Sequence, residues 1–177
     1  MTSRKMNVEL KAKVRSLKPL KIRLLGIGGR RIGLFRQVDT YFATPRGRLK
    51  IRETDRGNSQ LVYYLRKNSR GPKISDVYLA SLPDPGTVKA ILSRVLGVES
   101  VVRKKREIFR IRGVQVHLDR VGRLGNFIEF EKVVKAEASK IAEARKQLEA
   151  LLRDLGVPKG NLQRASYGEL LSRSGCH

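Results

Sequence analysis

The chain has 177 residues, 40% of them hydrophobic, which suits one domain with a core of its own. Lys and Arg total 39 against 16 Asp and Glu, a formal charge of +23, so the partners it points to are polyanions: nucleotides, polyphosphate, nucleic acid or an acidic membrane surface. Its lone cysteine, Cys176, excludes an intrachain disulfide or zinc framework, Met1 to Lys5 are polar, and no apolar run nears the ~18 residues of a membrane span; the expected setting is a reducing cytoplasm, neither secreted nor membrane-embedded.

In chain order, residues 7 to 13 alternate Asn7, Glu9, Lys11 and Lys13 with Val8, Leu10, Ala12 and Val14, which in a strand separates a polar face from an apolar one. Ser16 to Leu25 predicts a short basic helix whose start is confined by Pro19 and whose end is marked by Gly26, Gly28 and Gly29. Ile32 to Phe42 reads as a strand, Pro45 and Gly47 turn the chain into the strand Arg48 to Glu53, and Asp55 to Asn58 turns it again. Gln60 to Arg66, rich in Val, Leu and Tyr, is the next strand; the loop Asn68 to Pro72 leads into another at Lys73 to Leu79, and Pro83 and Pro85 close the first half.

Val88, Ile91, Leu92, Val95 and Leu96 recur at helical spacing before Gly97. A basic strand follows from Val101 to Ile111, Gly113 permits a tight turn into Val114 to Asp119, and Gly122 and Gly125 frame the turn before Asn126 to Val134. The longest helix is expected over Ala138 to Leu155, with Ile141, Ala144, Leu148, Leu151 and Leu155 in one stripe, and a last helical piece over Leu162 to Leu171. Five of these strands precede the helix near residue 90 and three follow it, with no βαβ alternation and no linker across residues 1–177. That order predicts an α+β fold: an antiparallel β-barrel or strongly curved sheet of about eight strands with helices packed on the outside.

The chemistry sits on the alternating faces. Glu129 and Glu131 share one strand face, roughly 6.6 Å apart along it. With Glu9 and Asp119 from other strands they make four carboxylates able to converge, hard ligands suited to Mg²⁺ or Mn²⁺. Taken singly, Glu9 or Asp119 reads first as an ion-pairing partner in a basic protein, and the Glu129 and Glu131 pair beside them is what favours the metal. The bases on matching faces are Lys11, Lys13, Arg48, Lys50, Arg52, Arg66, Lys73, Lys104 and Arg106. In one interior they would repel by several kcal/mol unless a polyanion such as a metal-bound triphosphate neutralised them. On an open sheet they would instead form a solvated nucleic-acid-binding face.

No GxxxxGK[ST] loop and no Ser-His-Asp or Cys-His constellation stands out, so phosphate binding rests on side chains, with no covalent catalysis and no general base assigned. His117 alternates in phase with Asp119 and could line the same cavity, although a lone strand histidine is commonly structural. Tyr63 and Tyr64 point to opposite faces, Ser75 follows Lys73 by two positions, and Ser166 and Tyr167 fall on the last helix, where packing is the default.

These residues in this order resemble the CYTH superfamily, the triphosphate tunnel metalloenzymes. Asn7-Val8-Glu9-Leu10-Lys11 is similar to its Glu-x-Glu-x-Lys signature except at Asn7, and the likeness continues through QVDTYFATPRGRLKIRE at 37 to 53, LVYYLR at 61 to 66, GPKIS at 71 to 75, KKR at 104 to 106, VHLDRVGRLGNFIEFE at 116 to 131 and SYGELL at 166 to 171. The Asp-x-Tyr-Phe, Gly-Arg-Leu-Lys-x-Arg and Leu-Asp-x-Val-x-x-Leu-Gly segments look most like the class IV adenylyl cyclase-like branch. The resemblance implies a single CYTH-like domain whose eight-stranded antiparallel barrel is a triphosphate tunnel. It implies Glu9, Glu129 and Glu131 as metal ligands, Asp119 in support, and Asn7 as a weaker oxygen donor. Lys11, Lys50, Arg52, Arg66, Lys73, Lys104 and Arg106 would hold the phosphates, with Lys13, Arg48 and His117 as further tunnel-lining candidates.

The expected activity is that of a Mg²⁺- or Mn²⁺-dependent enzyme on a nucleoside, thiamine or inorganic triphosphate: a triphosphatase, or a class IV adenylyl cyclase forming cyclic AMP. The other reading is a non-catalytic RNA- or polyphosphate-binding module. Nine tunnel bases against four tunnel acids account for +5 of the +23, leaving +18 elsewhere. Arg30, Arg31, Arg36, Arg103, Arg110, Arg112, Arg120 and Arg123 are candidates to carry that surplus on the outside, where it would attract nucleic acid nonspecifically. Oligomeric state is left open.

Overall fold

The computed structural model describes residues 2–66 and 71–173; Cys176 and most of the Asn68 to Pro72 loop lie outside them. The elements are β1 (Thr2–Val14), α1 (Lys18–Gly26), β2 (Arg30–Phe42), β3 (Arg48–Thr54), β4 (Gln60–Arg66), β5 (Lys73–Ser81), α2 (Pro85–Leu96), β6 (Val98–Ile111), β7 (Val114–Val121), β8 (Gly125–Val134), α3 (Ala138–Asp154) and α4 (Tyr167–Arg173), with a 3-10 turn at Lys159–Asn161. The eight strands close into a barrel in the order β1-β5-β4-β3-β2-β6-β7-β8. Every neighbouring pair is antiparallel, so each strand finds a partner on both sides and no edge is left open.

The alternation of β1 decides what lies where. Val8, Leu10 and Ala12 face outward and are fully covered, joining Phe109, Val116, Ile128 and Phe130 of other strands under Leu20 and Leu24 of α1 and Ala144, Leu148, Leu151 and Leu152 of α3. The main apolar core is therefore outside the barrel, between its wall and the two helices. Each of these leucines contributes about 1.5–3 kcal/mol through burial. The polar partners of the same alternation are left to fill the lumen.

Local signals explain most boundaries. Pro19 opens α1 and Pro85 opens α2 behind an Asp84 side chain that accepts from Thr87 N at 3.1 Å. Between β6 and β7 the two turn residues Arg112 and Gly113 have φ of 49° and 72°, the left-handed pair that a two-residue hairpin of this hand requires. Gly156, at φ 67°, ends α3, and Val157 N reaches back to Leu152 O at 3.0 Å.

One expectation is corrected. The last helix does not begin at Leu162 but at Tyr167. Leu162 instead bridges Ala12 and Gln163 N donates to Lys11 O at 2.8 Å, so this stretch runs along β1. A capping box then starts the helix: Glu169 N donates to Ser166 Oγ at 3.2 Å and Ser166 N to Glu169 Oε2 at 2.6 Å. In α2 the apolar stripe is present but not buried, with Ile91 53% and Val95 71% exposed. Among the described residues no helix is long and apolar enough to cross a membrane.

Candidate active site

Strand register carries one continuous face around the lumen. On β1 and β8, Glu9 stands opposite Glu131 and Lys11 opposite Glu129. On β7 and β8, His117 meets Glu129 and Gln115 meets Glu131. Asp119 meets Arg106 of β6, Asp39 of β2 meets Arg52 of β3, and Tyr41 meets Lys50. On the far side Lys73 of β5 stands opposite Glu9, Ser75 opposite Asn7, and Arg48 opposite Tyr64. Most side chains selected from the alternating pattern thus occupy one interior, and Lys11, Lys50, Lys73, Lys104 and Arg106 are all at most 7% exposed.

Two buried aspartates organise these bases. Asp39, wholly buried, accepts from Lys50 Nζ at 2.9 Å, Lys104 Nζ at 2.7 Å, and Arg52 Nε and Nη2 at 2.8 and 3.0 Å. Burial opposes its charge, but Arg52, Lys104 and Lys50 outweigh that and hold the carboxyl well below the usual range. Asp119, also wholly buried, takes a two-point contact from Arg106, Nε at 2.7 Å and Nη2 at 2.5 Å, and a hydrogen bond from Tyr167 Oη at 2.8 Å. Arg106 also bonds Glu129 Oε2, so its fork is fixed on both sides.

The lysines feel the opposite pressure. Burial, reinforced by Arg52, pushes Lys50 down to about 7 despite Asp39. Burial likewise lowers Lys11 and Lys73 to about 8, the first against the pull of Glu129 and the second with Arg66 adding to the effect. Rings soften part of the cost: Lys11 Nζ sits 4.1 Å from the Tyr167 ring centroid, and Lys50 Nζ 5.1 Å from that of Tyr41. Lys73 Nζ also donates to Gln163 O at 2.5 Å. Arg66 bonds Glu9 and reaches Arg164 O at 3.4 Å, so the segment before α4 closes this side of the lumen.

The acids cluster at one corner. Glu9 and Glu131 are directly opposed, a placement in which like charges repel. Glu9 is paired with Arg66 and Glu129 with Arg106, but among the described residues Glu131 has neither a side-chain hydrogen bond nor an ion pair. Asn7 Oδ1 is buried and has no hydrogen-bond partner among the described residues. One donor atom each of His117, Glu129 and Glu131 lies within 4.8 Å of the others. Opposed carboxylates, an orphaned amide oxygen and close donor atoms make a set that fits a divalent cation.

The lumen encloses a cavity of about 160 Å³ lined by Asn7, Glu9, Lys11, Lys50, Arg52, Arg66, Lys104, Arg106, Glu129 and Glu131 among others. Tyr41, Arg66 and Ser166 are shared with a wider cavity of about 710 Å³, also lined by Arg46, Arg48 and Glu169. Arg48 thus belongs to the wider space, where it bonds Glu169 at 2.7 Å. Lys13 is exposed and lines neither cavity. Tyr64 faces the lumen while Tyr63 lies outside, donating to Arg46 O at 3.2 Å.

Asp39 was not among the residues singled out from the sequence, although it alternates in phase with Gln37 and Tyr41; its acidity inside an otherwise uncharged strand stretch was the available signal. Tyr167, expected to pack, does so against Phe127, and its hydroxyl and ring serve the lumen as well.

The fold and lumen define a closed barrel whose interior holds buried bases and an acidic corner. The CYTH domain family model matches residues 5–167, and the chain belongs to that family. A Methanocaldococcus jannaschii protein named "Putative adenylate cyclase MJ0240" is 32% identical over 141 residues, 77% of each chain. The PH1012 protein of Pyrococcus horikoshii superposes with a TM-score of 0.83 at 26% identity, covering 93% of this chain and 98% of that one. A Hippeastrum protein, 15% identical with a TM-score of 0.63 over 98% of this chain and 97% of its own, shares the fold; it is described as a putative adenylyl cyclase with a dominant triphosphatase activity.

Proposed function

We propose that this protein is a divalent-metal-dependent enzyme acting on a triphosphate, either releasing phosphate from it or cyclising ATP to cyclic AMP. The observation that carries the reading is the coexistence, in one closed lumen, of bases that outnumber the acids paired with them, Asp39, Asp119, Glu9 and Glu129, with an acidic corner where Glu131 is unpaired among the described residues. Family membership supports it, as does the adenylate cyclase name of the M. jannaschii relative.

Glu9, Glu129 and Glu131, with the Asn7 amide oxygen, are the donors that would hold Mg²⁺ or Mn²⁺, and such an ion supplies charge neutralisation and Lewis-acid polarisation at phosphate oxygens. The remaining work falls to the protein. Lys11, Lys50, Arg52, Arg66, Lys73, Lys104 and Arg106 bind the phosphate oxygens, and the rigid forks of Arg52 and Arg106 orient them. Asp39 holds Lys50, Arg52 and Lys104 in place before substrate arrives and Asp119 holds Arg106, so little reorganisation of these four accompanies binding. The 160 Å³ lumen takes the phosphate chain, and the 710 Å³ mouth has room for an attached nucleoside or thiamine.

Turnover with Mg²⁺ or Mn²⁺ on ATP, inorganic triphosphate and thiamine triphosphate, with products resolved by chromatography, tests the proposal. Cyclic AMP identifies a cyclase and orthophosphate a hydrolase; no turnover of any substrate refutes the enzyme reading. Glu131→Gln is expected to abolish metal-dependent turnover while the fold survives, and Asn7→Glu to tighten metal dependence by restoring a charge.

One observation favours a second reading, as a module for RNA or polyphosphate. On the outer wall Arg36 of β2 stands opposite Lys105 of β6, which stands opposite Arg120 of β7, and all three are exposed. Like charges placed in a row oppose folding, and a phosphate backbone laid across them would relieve the repulsion. Salt-sensitive RNA binding lost in Arg36→Ser/Lys105→Ser/Arg120→Ser, together with failed turnover, would favour it.

A further inference from the structure

We propose that His117 is a nitrogen ligand of the cation site and tunes that site toward first-row transition dications over Mg²⁺. The inference rests on the metal reading given above. His117 is 2% exposed, lies opposite Glu129 in the β7–β8 register, and follows Gln115, which lies opposite Glu131.

The two ring nitrogens have different surroundings. Nε2 is 3.3 Å from Gln115 Oε1. With the Gln115 amide oxygen as acceptor, Nε2 is the donor and a neutral ring bears its lone pair on Nδ1. That Nδ1 is buried, has no hydrogen-bond partner among the described residues, and faces Glu129 Oε2 at 3.7 Å. Two acceptors facing each other in a closed space repel. A cation between them turns the repulsion into two bonds.

The spacing agrees. Ligands that share an ion with bonds of about 2.1 Å stand no more than about 4.2 Å apart. His117, Glu129 and Glu131 offer one atom each within 4.8 Å, so side-chain rotation can draw the three onto one ion. Gln115 plays the part expected of an outer partner, accepting from the nitrogen that does not face the ion and holding the ring in its ligating tautomer. Imidazole nitrogen favours Co²⁺ over Mn²⁺ and both over Mg²⁺, whereas a site of oxygen donors alone discriminates less.

Two measurements on the full chain test this. Pulsed electron paramagnetic resonance of the Mn²⁺-loaded protein is expected to show ¹⁴N coupling from a bound imidazole. Calorimetric titration is expected to give affinities in the order Mg²⁺, Mn²⁺, Co²⁺, weakest first. In His117→Gln, which replaces the nitrogen with an amide oxygen, the coupling vanishes and Co²⁺ binding falls about 10–100-fold while Mg²⁺ binding changes little. Circular dichroism melting checks that this variant folds; if it does not, the wild-type spectrum decides. Bound Mn²⁺ without ¹⁴N coupling overturns the role of His117 and leaves the carboxylate site standing. No binding of any of these ions overturns both.

Discussion

Asp39 offers the sharpest test of how the lumen is held. In Asp39→Asn the shape is retained but the charge that Lys50, Lys104 and Arg52 share at 2.7–3.0 Å is removed. Breaking a buried ion pair costs about 3–5 kcal/mol because the orphaned partner stays buried. Three cations are orphaned here, but the two lysines can shed protons, with Lys50 already down at about 7, so the expected loss stays near about 4 kcal/mol. At about 2–4 °C per kcal/mol for a chain of this size, Tm falls by about 10 °C. Inorganic tripolyphosphate replaces the missing anion, so a saturating concentration should raise the variant's Tm by more than it raises that of wild type. Differential scanning fluorimetry with and without the anion reads both effects. An unchanged ligand-free Tm, or a tripolyphosphate shift confined to wild type, would refute the idea that Asp39 stands in for phosphate.

Four further outcomes are expected. Lys50, lowered in the free protein, regains its proton beside a polyanion, so tripolyphosphate binding at pH 8 takes up protons; calorimetry in buffers of different ionisation enthalpy measures the uptake. The same depressed value means that between about pH 7 and 10.5 the unfolded chain binds the proton that the fold excludes, so this group adds stability to the ligand-free protein as pH rises through that window and the gain is lost on descent to pH 7, which urea titrations across the range can follow. Tyr167→Phe keeps the ring near Lys11 but removes the hydroxyl bonded to Asp119, and urea unfolding should show a loss of about 1–2 kcal/mol; no loss would mean that Arg106 alone satisfies Asp119. Leu148→Ala, in the apolar layer between α3 and the barrel, should cost about 2–5 kcal/mol by the same measurement without altering tripolyphosphate binding.

The acidic and basic faces were legible because a strand's period of two leaves a direct trace: Glu9 with Lys11, Lys50 with Arg52, and Glu129 with Glu131 are each two apart. Asp39 was harder to see because it is the only charge on its stretch of β2, and its importance comes from three bases on other strands. The last helix was misplaced because apolar spacing from Leu162 onward is compatible with a helix, whereas the bond from Gln163 N to Lys11 O and the Ser166–Glu169 box set its true start. The stripe on α2 shows the converse, since periodicity found the helix but not how little of it is covered.

Taken alone, the sequence determines the strand faces, the turns, the outer helices and the family pattern, because these depend on neighbours along the chain. It does not determine that the barrel closes with Glu9 against Glu131, that Asp39 gathers Lys50, Arg52 and Lys104, or that a histidine turns a bare nitrogen toward Glu129. Those facts belong to the tertiary structure. Register between strands far apart in sequence sets which charges meet, and exclusion of water from the lumen sets how strongly they act on one another.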